Sequence, residues 1–176
     1  VPIAQTQGSP PYWRNDYFNN RVYLSASHIT KNTVKDIVKY LNSVQFDFFT
    51  GYPSAMYVLA SLIEREGLCL KKTPKYIVCG SDALTPKYEA TISRVFDANV
   101  TEQYGMVEFA GNLSKCECGV FHEDFECGYT ETLACEDTTL ESIILTGWGN
   151  RAMPFIRYEI GDLVKRSKEA CSCGRS

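Results

Sequence analysis

Hydrophobic residues recur at helical spacing in three stretches of the chain, at residues 30–44, 53–66 and 85–96. The apolar positions of the first two stretches are Val34, Ile37, Val38, Leu41 and Val44, followed by Met56, Leu59, Leu62 and Ile63. In each stretch these positions fall on one side of a helix, and polar residues occupy the other side. The pattern therefore predicts three amphipathic helices.

Residues suited to helix ends flank all three stretches. Thr30 suits the N-cap position of the first helix. Pro53 suits the first position of the second helix, and Gly67 suits the residue just past its end. Thr85 and Pro86 provide an N-cap and a first residue for the third helix. These local signals fix the predicted helix boundaries.

Short apolar runs separate the helices and are typical of buried strands. They occupy residues 46–49 and 76–80, and residues 99–105 predict a further strand after the third helix. Strands that alternate with helices of ten or more residues predict a parallel sheet with helices on both faces. Residues 1–20 predict a loop or docking segment, and the following RVYLSAS has the composition of a further strand.

The helical periodicity disappears after about residue 112. Beyond it, the segments YTETLA, LESIILTG and DLVKRS predict strands. We therefore predict an α/β fold in two parts. Residues 1–112 form a parallel sheet layer flanked by helices, and residues 113–176 form a smaller β-rich lobe of the same domain.

Composition and charge narrow the class of protein. The chain has 176 residues and a formal net charge of −3. Domains that bind nucleic acid usually present a basic face, so we expect no nucleic-acid partner. No apolar run is long enough to span a membrane and no signal-peptide pattern begins the chain. We expect a cytoplasmic protein, whose reducing environment disfavours disulfides among its eight cysteines.

Cysteine and histidine side chains cluster at two places in the predicted β-rich lobe. Cys116, Cys118 and His122 lie close together, and Cys171 and Cys173 lie near the end of the sequence. Structural zinc takes four thiolate or imidazole ligands, usually as two close pairs. The five side chains are thus candidates for four positions. A disulfide between the pairs, and unrelated thiols beside a surface histidine, are the alternatives to zinc.

The other four cysteines carry no such pattern. Cys69 and Cys79 lie in apolar contexts, so we expect both in the hydrophobic core. Cys127 and Cys135 have no close partner in the sequence and stay unassigned.

Three further segments carry residues suited to a binding site. CGSDALTP and TEQYGMVE each follow a predicted strand, and RYEIGD lies in the β-rich lobe. Ligands of parallel α/β sheets bind beyond the carboxyl ends of the strands. Taken alone, Tyr104 is also typical of a buried aromatic, Asp162 of a turn and Glu108 of a helix N-terminus.

In this order the segments resemble the adenylate-forming superfamily, and within it the branch of phenylacetate–coenzyme A ligases and capsular-polysaccharide CapK-like proteins. GYPSAMYVLA resembles the Gly-Tyr-Pro-Ser helix start of that branch, and YGMVE resembles its Tyr-Gly-x-Thr-Glu element. RYEIGD resembles its Arg-Tyr-x-x-Gly-Asp element, and CGR resembles the Gly-Arg near its hinge. The likeness extends over nearly the whole chain.

The resemblance implies an enzyme that joins a small, aryl carboxylic acid to the α-phosphate of ATP, releases pyrophosphate and passes the acyl group to coenzyme A. It implies that Asp162 binds both ribose hydroxyls, that the Tyr104 ring lies against adenine and that Glu108 holds Mg²⁺. Arg175 is expected to reach the nucleotide or to steady the hinge. The residues expected at ATP or AMP are Gly80, Ser81, Asp82, Tyr104, Gly105, Asp162 and Arg175.

The resemblance also selects among the candidate metal ligands. The branch has a Cys-Glu-x-Gly-x-x-His pattern, which CECGVFH matches. This match implies Cys116, His122, Cys171 and Cys173 as ligands of a structural Zn²⁺, with Cys118 outside the set. A closed set of four protein ligands implies a structural metal, because no position is left for water.

The chain also departs from the branch. Val107 stands where threonine is usual, and Asp82 stands where glutamate is common. A Gly/Ser/Thr-rich phosphate loop is expected before residue 1 and a lysine-bearing domain after residue 176. We therefore expect the 176-residue chain to be inactive without these segments of the same polypeptide. A zinc-stabilised interaction module and a CapK-like acyl-activating protein of polysaccharide biosynthesis are the alternatives, and a homodimer is compatible with each.

Overall fold

The chain folds into two compact units. A computed structural model describes residues 6–136, 138–167 and 169–175. The division follows Val100, ahead of the boundary that the sequence predicts at residue 112. Residues 1–5 of the predicted N-terminal loop lie outside the described residues.

Three helices form in the first unit where the hydrophobic pattern predicts them. They are α1 (Val34–Ser43), α2 (Pro53–Arg65) and α3 (Pro86–Phe96). The start of α1 differs from the prediction, because its N-cap residue is Thr33 rather than Thr30. The Thr33 hydroxyl donates to the carbonyl of His28 and accepts from the Thr30 amide, so the turn before the helix ends three residues later than predicted.

The ends of α2 and α3 follow the predicted local signals. Gly67 has a φ of 61°, a left-handed conformation that favours glycine, and the Leu68 amide donates to the Ile63 carbonyl. The Thr85 side chain accepts a hydrogen bond of 3.3 Å from the Tyr88 amide and caps α3. The predicted boundaries of these two helices are confirmed.

Two strand pairs complete the first unit. β1 (Trp13–Asp16) and β2 (Arg21–Leu24) form an antiparallel hairpin, although the segment that contains β1 was expected to be a loop. β3 (Phe48–Gly51) and β4 (Tyr76–Gly80) pair in parallel, as predicted. β3 begins two residues later than expected, and Phe48 is 63% exposed rather than buried.

One hydrophobic core forms where the three helices cover β4. Its most buried side chains are Val34, Ile37, Leu59, Ala60, Ile63, Ile77, Cys79, Ile92 and Phe96. Cys79 therefore lies in the core as predicted. The prediction for Cys69 is wrong, because this residue follows the end of α2 and its thiol is exposed.

The second unit is built from antiparallel strands. β5 (Asn99–Gly105), which begins just before the division, pairs with β6 (Asn112–Lys115), and β6 pairs with β7 (Phe121–Glu123). The sequence does not predict β6 and β7, and it predicts β5 in a parallel sheet. The connection from β5 to β6 is too short for a crossover helix, so β6 returns antiparallel to β5. Strand pairing in the molecule is consequently mixed.

Three longer strands follow in a second antiparallel sheet. They are β8 (Gly128–Ala134), β9 (Glu141–Gly147) and β10 (Tyr158–Val164), with β9 in the middle. Ile143 and Leu145 of β9 are buried with Ala110 and form the core of this unit. These strands confirm the predicted strand segments, although β10 starts before DLVKRS. None of the helices in the described part of the chain combines the length and apolarity that crossing a bilayer requires.

Candidate functional site

Tyr104 and Asp162, which the resemblance places at a nucleotide, lie in contact within the second unit. The Tyr104 hydroxyl donates a hydrogen bond of 2.7 Å to Oδ2 of Asp162. Tyr104 is the penultimate residue of β5 and packs against the core of this unit. Asp162 lies in β10 and is exposed. The pair therefore presents a half-buried ring beside an accessible carboxylate.

A bulge in β10 directs Asp162 towards Tyr104. Glu159 and Leu163 pair with Ile144 and Ser142 of β9, so the three residues between them face a single residue of β9. Gly161 lies in this bulge with a φ of 91°, a conformation that other residues adopt only under strain. Bulges commonly redirect side chains beside functional sites. Asp162 thus lies in a strand bulge rather than in the plain turn that is the alternative for this residue, and its role in a binding site stays a prediction.

The contact between the two side chains changes the acidity of the phenol. Burial, followed by the hydrogen bond to Asp162 and the charge of its carboxylate, raises the pKa of Tyr104 well above the usual value of 10.0. Tyr104 is thus neutral and donates the hydrogen bond throughout the physiological pH range.

Gly105 and Glu108 follow Tyr104 at the end of β5. A Cβ on Gly105 would lie 2.9 Å from Oδ1 of Asn112, so the side chain of Asn112 fills the space above this glycine. Glu108 is exposed in a turn, and its carbonyl accepts a hydrogen bond from Asn150. No helix begins at Glu108, so the helix-terminus interpretation of this residue is wrong. Val107, the departure from the resemblance, is 96% exposed.

Gly80, Ser81 and Asp82 lie in the first unit, where they end β4 and begin the turn before α3. Ser81 has a φ of 65°, which bends the chain sharply after the strand. Oδ1 of Asp82 accepts a hydrogen bond of 2.9 Å from the Ala83 amide. The Asp82 carboxylate therefore supports the turn locally.

The four predicted metal ligands lie together. Cys116, His122, Cys171 and Cys173 offer ligand atoms that are all within 4.8 Å of one another. Sγ of Cys116 lies 3.7 Å from Sγ of Cys171, and Sγ of Cys173 lies 3.3 Å from Nε2 of His122. Tetrahedral zinc with bonds of about 2.3 Å to sulfur separates its sulfur ligands by roughly 3.8 Å. The donor set and the spacing fit a four-coordinate metal ion.

Neighbouring groups shift the pKa values of two of these thiols in opposite directions. Burial acts against the shift, but hydrogen bonds from the backbone at Val120 and Cys118 and from His122 lower the pKa of Cys116 to about 6. A backbone hydrogen bond from Cys173 opposes the shift of Cys171, but burial and hydrogen bonds to neighbouring sulfur atoms raise its pKa to about 12. The thiol of Cys116 is therefore more acidic than the thiol of Cys171, which lies 3.7 Å away.

Cys118 lies beside the cluster of Cys116, His122, Cys171 and Cys173, which we call the metal group. Its thiol is exposed and lies 3.2 Å from the Ser172 hydroxyl. All eight cysteines lie among the described residues, and none forms a disulfide. The disulfide alternative therefore does not describe this structure.

Arg175 forms an ion pair with Asp124, and its expected role at the nucleotide or the hinge stays a prediction. Nη2 of Arg175 is 2.7 Å from Oδ1 of Asp124, just after β7. Asp124 also accepts hydrogen bonds from the side chains of Asn112 and Ser114. This network is not predicted from the sequence, although the alternating polar residues in NLSK and FHED are typical of one polar sheet face.

The chain is similar to the protein CapK of Staphylococcus aureus. The two are 28% identical over 169 residues, which make up 96% of this chain and 37% of CapK. No protein-family model matches the chain. The chain thus spans little more than a third of the length of this relative.

Solved structures of 2-hydroxyisobutyryl-CoA ligase share the fold. An open conformation in complex with 2-HIB-AMP and CoA superposes with a TM-score of 0.67 at 19% identity, over 83% of this chain and 35% of the ligase. A postadenylation state with 2-HIB-AMP gives a TM-score of 0.64 at 18% identity, over 83% and 34% of the two chains. Together with the similarity to CapK, this fold confirms the resemblance to the adenylate-forming superfamily and its CapK-like branch.

Proposed function

We propose that this chain forms the adenosine-binding part of an ATP-dependent acid–thiol ligase. In the first step of this reaction a carboxylate oxygen attacks the α-phosphorus of ATP, and the bond to the β-phosphate breaks to release pyrophosphate. In the second step a thiol attacks the acyl carbon, and AMP leaves. The thiol is that of coenzyme A, and the acid is a small aryl carboxylic acid.

The contact between Tyr104 and Asp162 carries this proposal. The half-buried ring offers a face for adenine, and the exposed carboxylate offers two oxygens to the ribose hydroxyls. The hydrogen bond between the two side chains fixes their geometry before a ligand arrives, which reduces the entropy lost on binding. Ligands that contain AMP and CoA in the structures of similar fold support the same assignment.

Glu108 is the proposed contact for Mg²⁺. The exposed carboxylate lies four residues beyond Tyr104, and carboxylate oxygens bind Mg²⁺ together with phosphate oxygens. Mg²⁺ when bound would neutralise charge on the phosphates of ATP. Glu108 alone leaves most of the coordination to the phosphates and water, as is usual for this ion. The roles that the resemblance gives to Gly80, Ser81 and Asp82, which belong to the first unit, stay predictions.

Zn²⁺ is the proposed occupant of the group formed by Cys116, His122, Cys171 and Cys173. Three sulfur donors and one imidazole suit zinc better than magnesium or calcium, which prefer oxygen. Four protein ligands leave no open position, so the proposed ion is structural. It would fasten residues 171–173 to β7 and to the turn before it.

Isothermal titration with AMP tests the nucleotide site on the 176-residue protein. We expect binding by the wild-type protein and a loss of affinity of about tenfold or more in Asp162→Ala, because charge-assisted hydrogen bonds to both hydroxyls disappear. Glu136→Ala removes an exposed carboxylate from the turn after β8 and is the matched control. Equal AMP binding in Asp162→Ala and the wild type contradicts the proposed site.

Pyrophosphate release tests the reaction and must be measured on the full-length encoded polypeptide. We expect release that depends on phenylacetate and ATP, followed by formation of a thioester when coenzyme A is added. Adenylation without transfer to coenzyme A would favour the alternative of an acyl-activating protein with another acceptor. No AMP binding and no release would favour a non-catalytic zinc-stabilised module.

A further inference from the structure

The segment that ends the described chain lies along β7 through two successive pairs of residues. Cys173 contacts His122 at 3.3 Å, and Arg175 contacts Asp124 at 2.7 Å. Arg175 follows Cys173 by two positions, and Asp124 follows His122 by two positions. Both pairs therefore join the same face of β7 to the segment at residues 173–175. The Arg175 amide also lies 3.5 Å from Sγ of Cys173. The ion pair and the metal group are therefore direct neighbours.

Asp124 holds Arg175 from a fixed position. The side chains of Asn112 and Ser114 donate to Oδ2 of Asp124, which leaves Oδ1 for Arg175. The Asp124 amide donates a hydrogen bond of 2.9 Å to the Asn112 carbonyl. This bond extends the pairing of β6 with β7 by one residue. A carboxylate with this many donors cannot turn away without leaving polar groups unpaired.

The ion pair and Tyr104 lie on opposite faces of the β5–β7 ladder. The Gln103 side chain bonds to Asn112, so Gln103, Asn112, Ser114 and Asp124 share one face. Neighbouring residues of a strand point to opposite faces, so Tyr104 points to the other side. Arg175 is bound to the face that does not carry the Tyr104 ring.

From these contacts we infer that Asp124 and Arg175 are positioning residues for the metal ligand Cys173 and set the affinity of the metal group. The inference rests on the proposed zinc and assigns Arg175 to the metal rather than to the nucleotide. The Arg175 amide orients the Cys173 sulfur, and Asp124 anchors the arginine that carries that amide. Outer partners of this kind are known to tune metal affinity strongly in other proteins.

Competition with a chelator measures the effect on the purified 176-residue protein. We expect Asp124→Asn to weaken zinc affinity about 10- to 100-fold, the range for loss of an outer partner. Arg175→Gln should have a similar effect. The double variant should be little worse than either single variant, because both remove the same contact. Glu126→Gln removes a charge from the same loop and should leave zinc affinity unchanged.

Cobalt substitution gives a readout that does not depend on activity. The visible spectrum of Co²⁺ reports a tetrahedral site and its thiolate ligands, so a displaced Cys173 changes its shape and intensity. We expect a changed spectrum in Asp124→Asn and an unchanged one in Glu126→Gln. Arg175→Lys should restore part of the zinc affinity, since it keeps the charge.

AMP titration separates this inference from the proposed nucleotide site. We expect Asp124→Asn to bind AMP as the wild type does, whereas Asp162→Ala loses AMP and keeps zinc. Wild-type protein without zinc affinity would refute the proposed metal and this inference. Zinc binding that persists unchanged in Asp124→Asn and Arg175→Gln would refute this inference alone. A tenfold loss of AMP affinity in Arg175→Gln, with unchanged zinc affinity, would contradict this inference. It would support the role at the nucleotide that the resemblance implies for Arg175.

Discussion

The phenol of Tyr104 donates a hydrogen bond of 2.7 Å to the carboxylate of Asp162, 58 residues further along the chain. The sequence predicted both residues at one ligand, but it placed them in different parts of the domain. In the structure they belong to the same compact unit, and a bulge in β10 brings the carboxylate to the ring. The two side chains thus form one preorganised contact.

The first prediction concerns the titration of Tyr104. Because burial and Asp162 raise its pKa, the phenol should stay neutral at a pH where exposed tyrosines ionise. The stability that this shift contributes is complete below the unfolded pKa of about 10 and is lost as pH rises above it. Asp162→Asn should lower the pKa of Tyr104 towards the usual value.

Ultraviolet absorbance of tyrosinate measures this titration. The difference between the wild type and Tyr104→Phe isolates the one phenol among the eleven tyrosines. The same difference taken in the Asp162→Asn background gives the effect of the carboxylate. Identical titration of Tyr104 in both backgrounds would show that the hydrogen bond does not form in solution.

The second prediction concerns the metal group. Purified protein should contain about one zinc ion per chain, and removal by a chelator should lower the melting temperature because the bound ion stabilises the folded state. Cys171→Ser should abolish stoichiometric zinc. Cys118→Ser removes a thiol that lies outside the group and should keep the ion.

Elemental analysis and thermal denaturation of the three proteins check this prediction. Cys118→Ser is the matched control, since both substitutions replace sulfur by oxygen in neighbouring loops. Loss of zinc in Cys118→Ser together with retention in Cys171→Ser would reassign the fourth ligand.

The helix ends could be predicted from the sequence because the residues that determine them are close together in the chain. Thr85, Pro86 and Gly67 act within one or two helical turns, so their effects are visible in a short window. β6 and β7 are only four and three residues long and owe their pairing to residues distant in sequence. Their lengths give too few positions for a period to appear.

The residues of the candidate site also differ in whether a short sequence motif marks them. Tyr104, Asp162 and the four metal ligands were found through short motifs in the resemblance. Asp124 carries no motif, because its role depends on donors from β6 and on an arginine 51 residues away. Such a network appears only when the strands are aligned.

The third prediction concerns two glycines of the second unit. Gly128 and Gly147 lie opposite each other in β8 and β9, and both press against the backbone around Ala110. A Cβ on Gly128 would lie 2.5 Å from the Ala110 carbonyl and 2.8 Å from the Thr146 carbonyl. Because backbone atoms cannot move aside easily, Gly128→Ala should destabilise the protein by about 1–3 kcal/mol.

Urea denaturation measures this cost. Gly8→Ala is the matched control, because a Cβ there meets nothing within 4 Å. Equal stability of Gly128→Ala and Gly8→Ala would mean that β8 and the turn after β5 are not in the close contact that the structure shows.

The fourth prediction tests the core of the first unit with two neighbouring residues of α2. Leu59 is 1% exposed, whereas Val58, about 100° further round the same helix, is 43% exposed. Leu59→Ala removes buried methyl groups and leaves a cavity, so it should cost about 2–5 kcal/mol. Val58→Ala should change the free energy of unfolding by no more than about 0.5 kcal/mol. Chemical denaturation of both variants, followed by circular dichroism, gives the two values. Because the pair shares one helix turn, a similar cost at both positions would indicate that the packed face of α2 is not the one described.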